Sequence, residues 1–264
     1  MLLGEPPPTQ ADLHFRILGI PVRVHPFFWL VALFLGMGGS ETRPVDALTW
    51  VAAVFLSILV HEMGHALAAR RHGWHPSITL YGLGGLATYT PTHETTRSRV
   101  LISAAGPAAG FLFALLIILA VRLSGHPIGL VGTSAPLDFD AIGAPALMRQ
   151  PLVLVDIYFA PLGIGQLDPL VADLLVVNIL WGIVNLFPVY PLDGGQIARE
   201  LLVTANPREG IRQSLWLSVG CAAGLASVAL MRNSLFAMLM FGYLAYTSYR
   251  TLQAYSGSGQ SNRW

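Results

Sequence analysis

Six apolar stretches, at about 26–38, 48–70, 100–122, 170–187, 214–231 and 234–250, alternate with polar segments along this chain. A helix needs roughly 20 apolar residues to cross a bilayer. The stretches at 48–70 and 100–122 reach that length, whereas the first is short and would draw on the residues before it. The pattern predicts an all-α polytopic membrane protein of about six transmembrane helices. Between the spans, 15–24 (FRILGIPVRV) alternates partly, as a short interfacial strand would. The stretch 77–89 (SITLYGLGGLATY) alternates until Gly82, Gly84 and Gly85 interrupt it. This reads as a strand or hairpin with a bulge or a close backbone approach at the glycines, a small β element at the membrane. The proline-bearing segment 123–168 predicts an irregular surface loop. Its apolar patch 151–161 is too short to span, and lies at the interface or dips into the bilayer. No internal repeat or appended soluble domain is visible. The expectation is a single domain over 14–252, a disordered lead at 1–13 and a flexible tail at 253–264.

Composition supports the membrane reading. The chain is 54% hydrophobic and 11% charged, against about 25% charged in soluble domains, with a mean hydropathy of +0.60. A net charge of +1 argues against a nucleic-acid partner. The single Cys221 excludes an intramolecular disulfide, and in an apolar stretch it reads as a small hydrophobe. The first twelve residues lack the basic-then-apolar pattern of a cleaved signal peptide.

Candidate chemistry lies inside the second span. Residues 48–60 carry no charge, and then His61, Glu62 and His65 appear in an H-E-x-x-H arrangement, with Arg70 and Arg71 closing the segment. On a helix, positions i and i+4 share a face. The two imidazoles can converge on one metal ion, with Glu62 beside them to take a proton from water. Neutral imidazole suits zinc. Ionisable groups inside a hydrophobic span mark a functional site by default. His25, at the start of the first span, reads better as an interfacial histidine than as a ligand.

The third span contains Gly106 and Gly110 in a G-x-x-x-G, a spacing that lets helices approach closely, with Pro107 loosening the helix between them. Gly220 and Gly224 make a second such face. The fourth span carries Asn178 and Asn185, seven apart and so on one face, before Pro188 and Pro191 break it ahead of Leu192-Asp193-Gly194-Gly195. Asp193 has two readings. With Gln196 it forms a capping box for the helix that follows, or it is a third metal ligand at the edge of a protected cavity.

Orientation can be read from the arginines. A cytoplasmic N-terminus places Arg16, Arg23, Arg70, Arg71, Arg97, Arg99, Arg199, Arg208, Arg212, Arg250 and Arg263 inside, and Arg43, Arg122, Arg149 and Arg232 outside. The second and fourth spans then run the same way. His61, Glu62, His65 and Asp193 fall at one depth, near the cytoplasmic end.

HEMGH at 61–65 together with NLFPVYPLDG at 185–194 resembles the site-2 protease family of intramembrane zinc metalloproteases. Asn185, Pro188, Leu192, Asp193 and Gly194 match its second motif, and the likeness extends over most of 14–250. The chain looks most like the compact branch, without PDZ or CBS domains. It departs from many members in having Gly110 where they have asparagine. The resemblance implies one Zn2+ held by His61, His65 and Asp193, with Glu62 as general base. It implies hydrolysis of peptide bonds within or near transmembrane segments. Asn185 would hold the substrate backbone or a developing oxyanion, or serve only as an interhelical contact. The implied setting is a bacterial plasma (inner) membrane, with both termini cytoplasmic. A transmembrane protein substrate, the lipid bilayer and a separate regulatory membrane protein are the implied partners. Two other classes fit these residues less well. A pseudoprotease scaffold would have lost the base, and Glu62 is present. A metal transporter would spread polar residues along its helices, and here they cluster near one side.

Overall fold

The computed structural model describes residues 6–37, 43–82, 84–132, 148–151 and 155–258. Expectations for 1–5, 133–147 and 259–264 lie outside the described residues. The chain divides into two compact units, Met1–Thr90 with Ala108–Gly182, and Pro91–Pro107 with Ile183–Trp264.

The first unit opens with β1 (Leu13–Ile17) and β2 (Ile20–Val24), an antiparallel hairpin. The single strand expected over 15–24 is therefore two. The lead is pinned rather than loose from Pro6 onward, because Arg23 donates to Asp12 Oδ2 (2.9 Å) and to the Pro6 carbonyl (2.8 Å). After α1 (Pro26–Gly36) and α2 (Pro44–Arg71), β3 (Ser77–Tyr81) returns to lie parallel to β2, and β4 (Gly84–Thr88) turns back along it. The sheet order is β1-β2-β3-β4. Alternation decides its faces. Ile20, Val22, Val24, Ile78 and Leu80 point inward at 2% exposure or less, and pack with Phe28, Ile58, Leu59 and Ala66 of α1 and α2.

His25 settles into a structural role. Its Nδ1 accepts from the Phe27 N–H (3.2 Å), its own N–H donates to the Leu80 carbonyl (2.9 Å), and Pro26 follows at the first helical position. It caps α1 and extends the sheet ladder.

The segment 123–168 is not an irregular loop. It contains β5 (Ile128–Gly132), β6 (Met148–Pro151) and β7 (Val155–Phe159), an antiparallel sheet ordered β5-β7-β6. Ile157 and Phe159, at 0% exposure, pack beneath α3 (Thr96–Leu123) and α4 (Leu167–Asn185). The patch 151–161 therefore contributes Pro151 to β6 and the whole of β7, whose Ile157 and Phe159 are covered by helices.

The second unit holds the start of α3, the end of α4, α5 (Asp193–Ala205), α6 (Gly210–Met231) and α7 (Leu235–Ser258). Val189, Ala222, Phe241 and Leu244 form its apolar core. α7 continues to Ser258, six residues into the segment expected to be loose.

Among the described residues, four helices are long and apolar enough to cross a membrane: α2, α3, α4 and α6. They correspond to the predicted spans at 48–70, 100–122, 170–187 and 214–231. The stretch at 26–38 gives an 11-residue helix, too short to cross. The stretch at 234–250 lies in α7, which is not among the four; the second half of α7 carries Thr247, Ser248, Arg250, Thr251 and Gln253. The chain is a multi-pass membrane protein with a mostly helical fold and two small sheets.

The glycine spacings behave differently from expectation. Gly220 and Gly224 are exposed, with nothing within 4 Å of where a Cβ would stand. At Gly110 a Cβ would meet Asn178 Oδ1 at 3.5 Å, an ordinary contact. The tight α3–α4 approach is at Gly182 instead, where a Cβ would stand 2.7 Å from the Phe111 ring. The spacing motif marks small residues but not which face meets a neighbour.

Candidate metal centre and active site

His61, Glu62 and His65 lie in the first unit, and Asn185 and Asp193 in the second. In the first unit, α2 has a 28-residue apolar body that can run unbroken because it holds no internal proline or glycine before Gly64. Asp46 lies in its first turn and Arg70 and Arg71 in its last, each on the side the helix dipole favours. Arg70 also donates to the Leu18 carbonyl (2.6 Å), tying the helix end to the β1–β2 turn. His61, Glu62 and His65 are all buried, at 3%, 5% and 7% exposure. The i, i+4 spacing brings the two Nε2 atoms to 3.1 Å, with the rings at 77°. Two nitrogens on one tetrahedral zinc at about 2.05 Å would stand about 3.3 Å apart. The pair is already converged to that spacing.

Glu62 lies under the β3–β4 hairpin. A Cβ at Gly85 would stand 2.6 Å from the Glu62 Cδ and Oε1 atoms and would overlap Cγ. Only glycine lets the strand backbone pass so close to the carboxylate. The nearby Tyr81 phenol is pushed up, by burial first and then by the Glu62 charge. One turn before His61, Ser57 Oγ accepts from Asn178 Nδ2 (2.8 Å), which also donates to the Leu174 carbonyl (2.8 Å). That bond ties α4 to the helix that carries His61 and His65.

In the second unit, α4 ends at Asn185 and α5 begins at Asp193; both residues are buried. Pro188 and Pro191 keep the intervening backbone from continuing as helix. Its polar groups must still be satisfied at membrane depth, and two buried serines do so. The Tyr190 N–H donates to Ser218 Oγ (2.5 Å), Ser218 Oγ donates to the Pro188 carbonyl (3.4 Å), and Ser248 Oγ donates to the Tyr190 carbonyl (3.3 Å). The turn folds back on the start of α5 so closely that a Cβ at Gly194 would meet the Leu186 and Phe187 carbonyls, the latter at 2.6 Å. Gly194→Ala is therefore expected to destabilise the protein by about 1–3 kcal/mol, as overpacking does. Thermal unfolding in detergent measures this, and an unchanged Tm would contradict it.

The capping-box reading of Asp193 does not hold. Leu192 occupies the cap position without a side-chain cap bond, and Gln196 Nε2 donates instead to the Pro191 carbonyl (3.2 Å). The predicted ligands are two imidazole nitrogens and one carboxylate oxygen, all from buried residues, and such a group could hold a metal ion. Nitrogen and oxygen donors suit zinc, and three protein ligands leave its fourth position open.

Sequence reasoning flagged the glycines at 82–85 without saying what they clear; the answer at Gly85 is the Glu62 side chain. It missed Ser57, Ser218 and Ser248. Buried serines in apolar helices carry no signal until the carbonyls and amides they serve are located.

The pattern of peptidase family M50 matches residues 49–227, more than half of the chain, which therefore belongs to that family. The chain is 24% identical over 254 residues to zinc metalloprotease MJ0392 of Methanocaldococcus jannaschii, across 94% of this chain and 60% of that one. It is 30% identical over 201 residues to Rip3 of Mycobacterium tuberculosis, across 71% of this chain and 42% of that one. It thus spans about half the length of these relatives. The solved structure of the site-2 protease from Methanocaldococcus jannaschii matches with a TM-score of 0.56 at 18% identity, covering 92% of this chain and 95% of that one. That match establishes the shared fold.

Proposed function

We propose that this protein is an intramembrane zinc metalloprotease that hydrolyses peptide bonds within or near transmembrane segments of membrane-protein substrates. The observation that carries this reading is a buried, converged His61–His65 pair with Glu62 beside it, in a helix long and apolar enough to span a bilayer. His61 and His65 would hold the zinc through ring nitrogens, and Asp193 would complete the ligand set through a carboxylate oxygen. When bound, zinc would polarise a carbonyl and lower the pKa of water to about 7. The Glu62 carboxylate takes the proton of the attacking water and later delivers one to the leaving amide nitrogen. The Asn185 amide holds the substrate backbone or the oxygen on which charge develops. Burial of all five side chains supports this assignment, because charge interactions strengthen where water is excluded.

The arginine distribution supports cytoplasmic termini and an active site near the cytoplasmic side of the membrane.

The test is metal removal. A single-span reporter protein in detergent, incubated with the purified enzyme, is expected to be cut within or beside its span. Treatment with 1,10-phenanthroline should abolish the cut, and added zinc should restore it. Cleavage that persists in chelator would overturn the proposal.

A further inference from the structure

A groove between the start of α6 and the end of α7 takes no part in the chemistry above. Its volume is about 480 Å3, and Arg212, Trp216, Tyr249, Leu252 and Gln253 line it. Arg212 is the third residue of α6, a helix long and apolar enough to cross a bilayer; in a spanning α6 its guanidinium would stand at headgroup depth. One turn deeper Trp216 is 54% exposed, facing Tyr249 at 42%. Tryptophan and tyrosine favour this level of a membrane because one end of each ring system is polar and the body is not. Further along the helix, at the same i+4 spacing, come the exposed Gly220 and Gly224, with nothing within 4 Å of where a Cβ would stand. From Arg212 to Gly224 is about 18 Å of helix. One leaflet of the hydrocarbon core is about 15 Å deep.

The groove thus has a cation at one end, aromatic walls and a buried Leu252 for a floor, and the exposed Gly220 and Gly224 follow Trp216 along the same helix. That is the complement of an amphiphile with an anionic head and an acyl chain. Arg212 already pairs through Nε with Glu209 Oε2 at 3.2 Å, but both side chains are about half exposed. Such pairs exchange readily, and a guanidinium has five donors in all. We propose that this groove binds one anionic phospholipid, its phosphate on Arg212 and one acyl chain along Trp216, Gly220 and Gly224. A second copy of the chain would have to bring an anion to the same guanidinium and bury it there unhydrated, which lipid at the interface need not do.

The test uses the full chain in detergent mixed with phosphatidylglycerol or phosphatidylcholine, read by native mass spectrometry and thermal unfolding. One retained phosphatidylglycerol per chain is expected, favoured about tenfold over phosphatidylcholine, with a rise in Tm only for the anionic lipid. Arg212→Gln should remove the preference, Arg212→Lys should keep part of it, and Trp216→Ala should weaken retention of both lipids. Equal molar inorganic phosphate should neither raise the Tm nor displace the lipid; if it does both, the site recognises a free anion and the lipid proposal falls. Equal retention of the two lipids, or a preference untouched by Arg212→Gln in a variant that unfolds at the wild-type Tm, would overturn it. So would a doubled mass abolished by Trp216→Ala, which would assign the groove to a second copy.

Discussion

Glu62→Gln is expected to lower peptide-bond cleavage by about 10^2- to 10^4-fold, the usual contribution of a positioned general base, while the zinc content stays at the wild-type level. Glutamine keeps the shape of the side chain, so the close passage of Gly85 over it is preserved. What it loses is the ability to accept the proton of water and return it to the leaving amine. Zinc should be unaffected because the proposed ligands are His61, His65 and Asp193, not Glu62. The variant should therefore bind substrate without cutting it. Paired zinc analysis and cleavage assays would detect a residue that is structural instead, since cleavage would then fall only as far as folding did.

Gly85→Val should have an effect nearly as large through a different route. Gly85 is paired with Leu80 in the β3–β4 hairpin, and its φ is not in the left-handed region, so valine fits the strand backbone. Its Cβ, however, would stand 2.6 Å from the Glu62 carboxyl atoms. Either the strand lifts or the carboxylate moves, and a displacement of about 1 Å can cost about 10^2-fold. Gly85→Ala should show a smaller loss of the same kind. Retained zinc with a loss of about 10^2-fold in cleavage is the expected signature. Full activity in Gly85→Val would mean that Glu62 tolerates displacement and that its position is not set by the hairpin.

These two residues also mark how far the sequence could be read. The metal pair was legible because helix geometry alone dictates that His61 and His65 share a face, and their Nε2 atoms stand 3.1 Å apart. The hairpin at 77–89 was legible from its alternation and its glycines, but what those glycines clear depends on a side chain some twenty residues earlier in the chain. The sheet in 123–168 escaped because prolines and a short apolar run resemble a loop. Ile157 and Phe159 declare themselves as one face of a strand only once helices cover them. Gly220 and Gly224 look like a helix-packing face, yet they are exposed, because a small-residue spacing says nothing about which neighbour, if any, arrives. The break after Asn185 was legible from Pro188 and Pro191. The serines that satisfy its backbone were not, since a hydroxyl on α6 or α7 gains meaning only from the Tyr190 amide and carbonyl it serves. His25 had an ambiguous signal, and its cap bond to Phe27 resolves it.

The central claim is that His61, His65 and Asp193 together hold one catalytic zinc. The most direct measurement is the zinc content of the purified, detergent-solubilised protein, wild type beside Asp193→Ala, with unfolding curves confirming that both are folded. The account predicts close to one zinc per chain in the wild type and a large loss in the variant. Zinc retained in full by a folded Asp193→Ala, or none in a folded wild type, would contradict it.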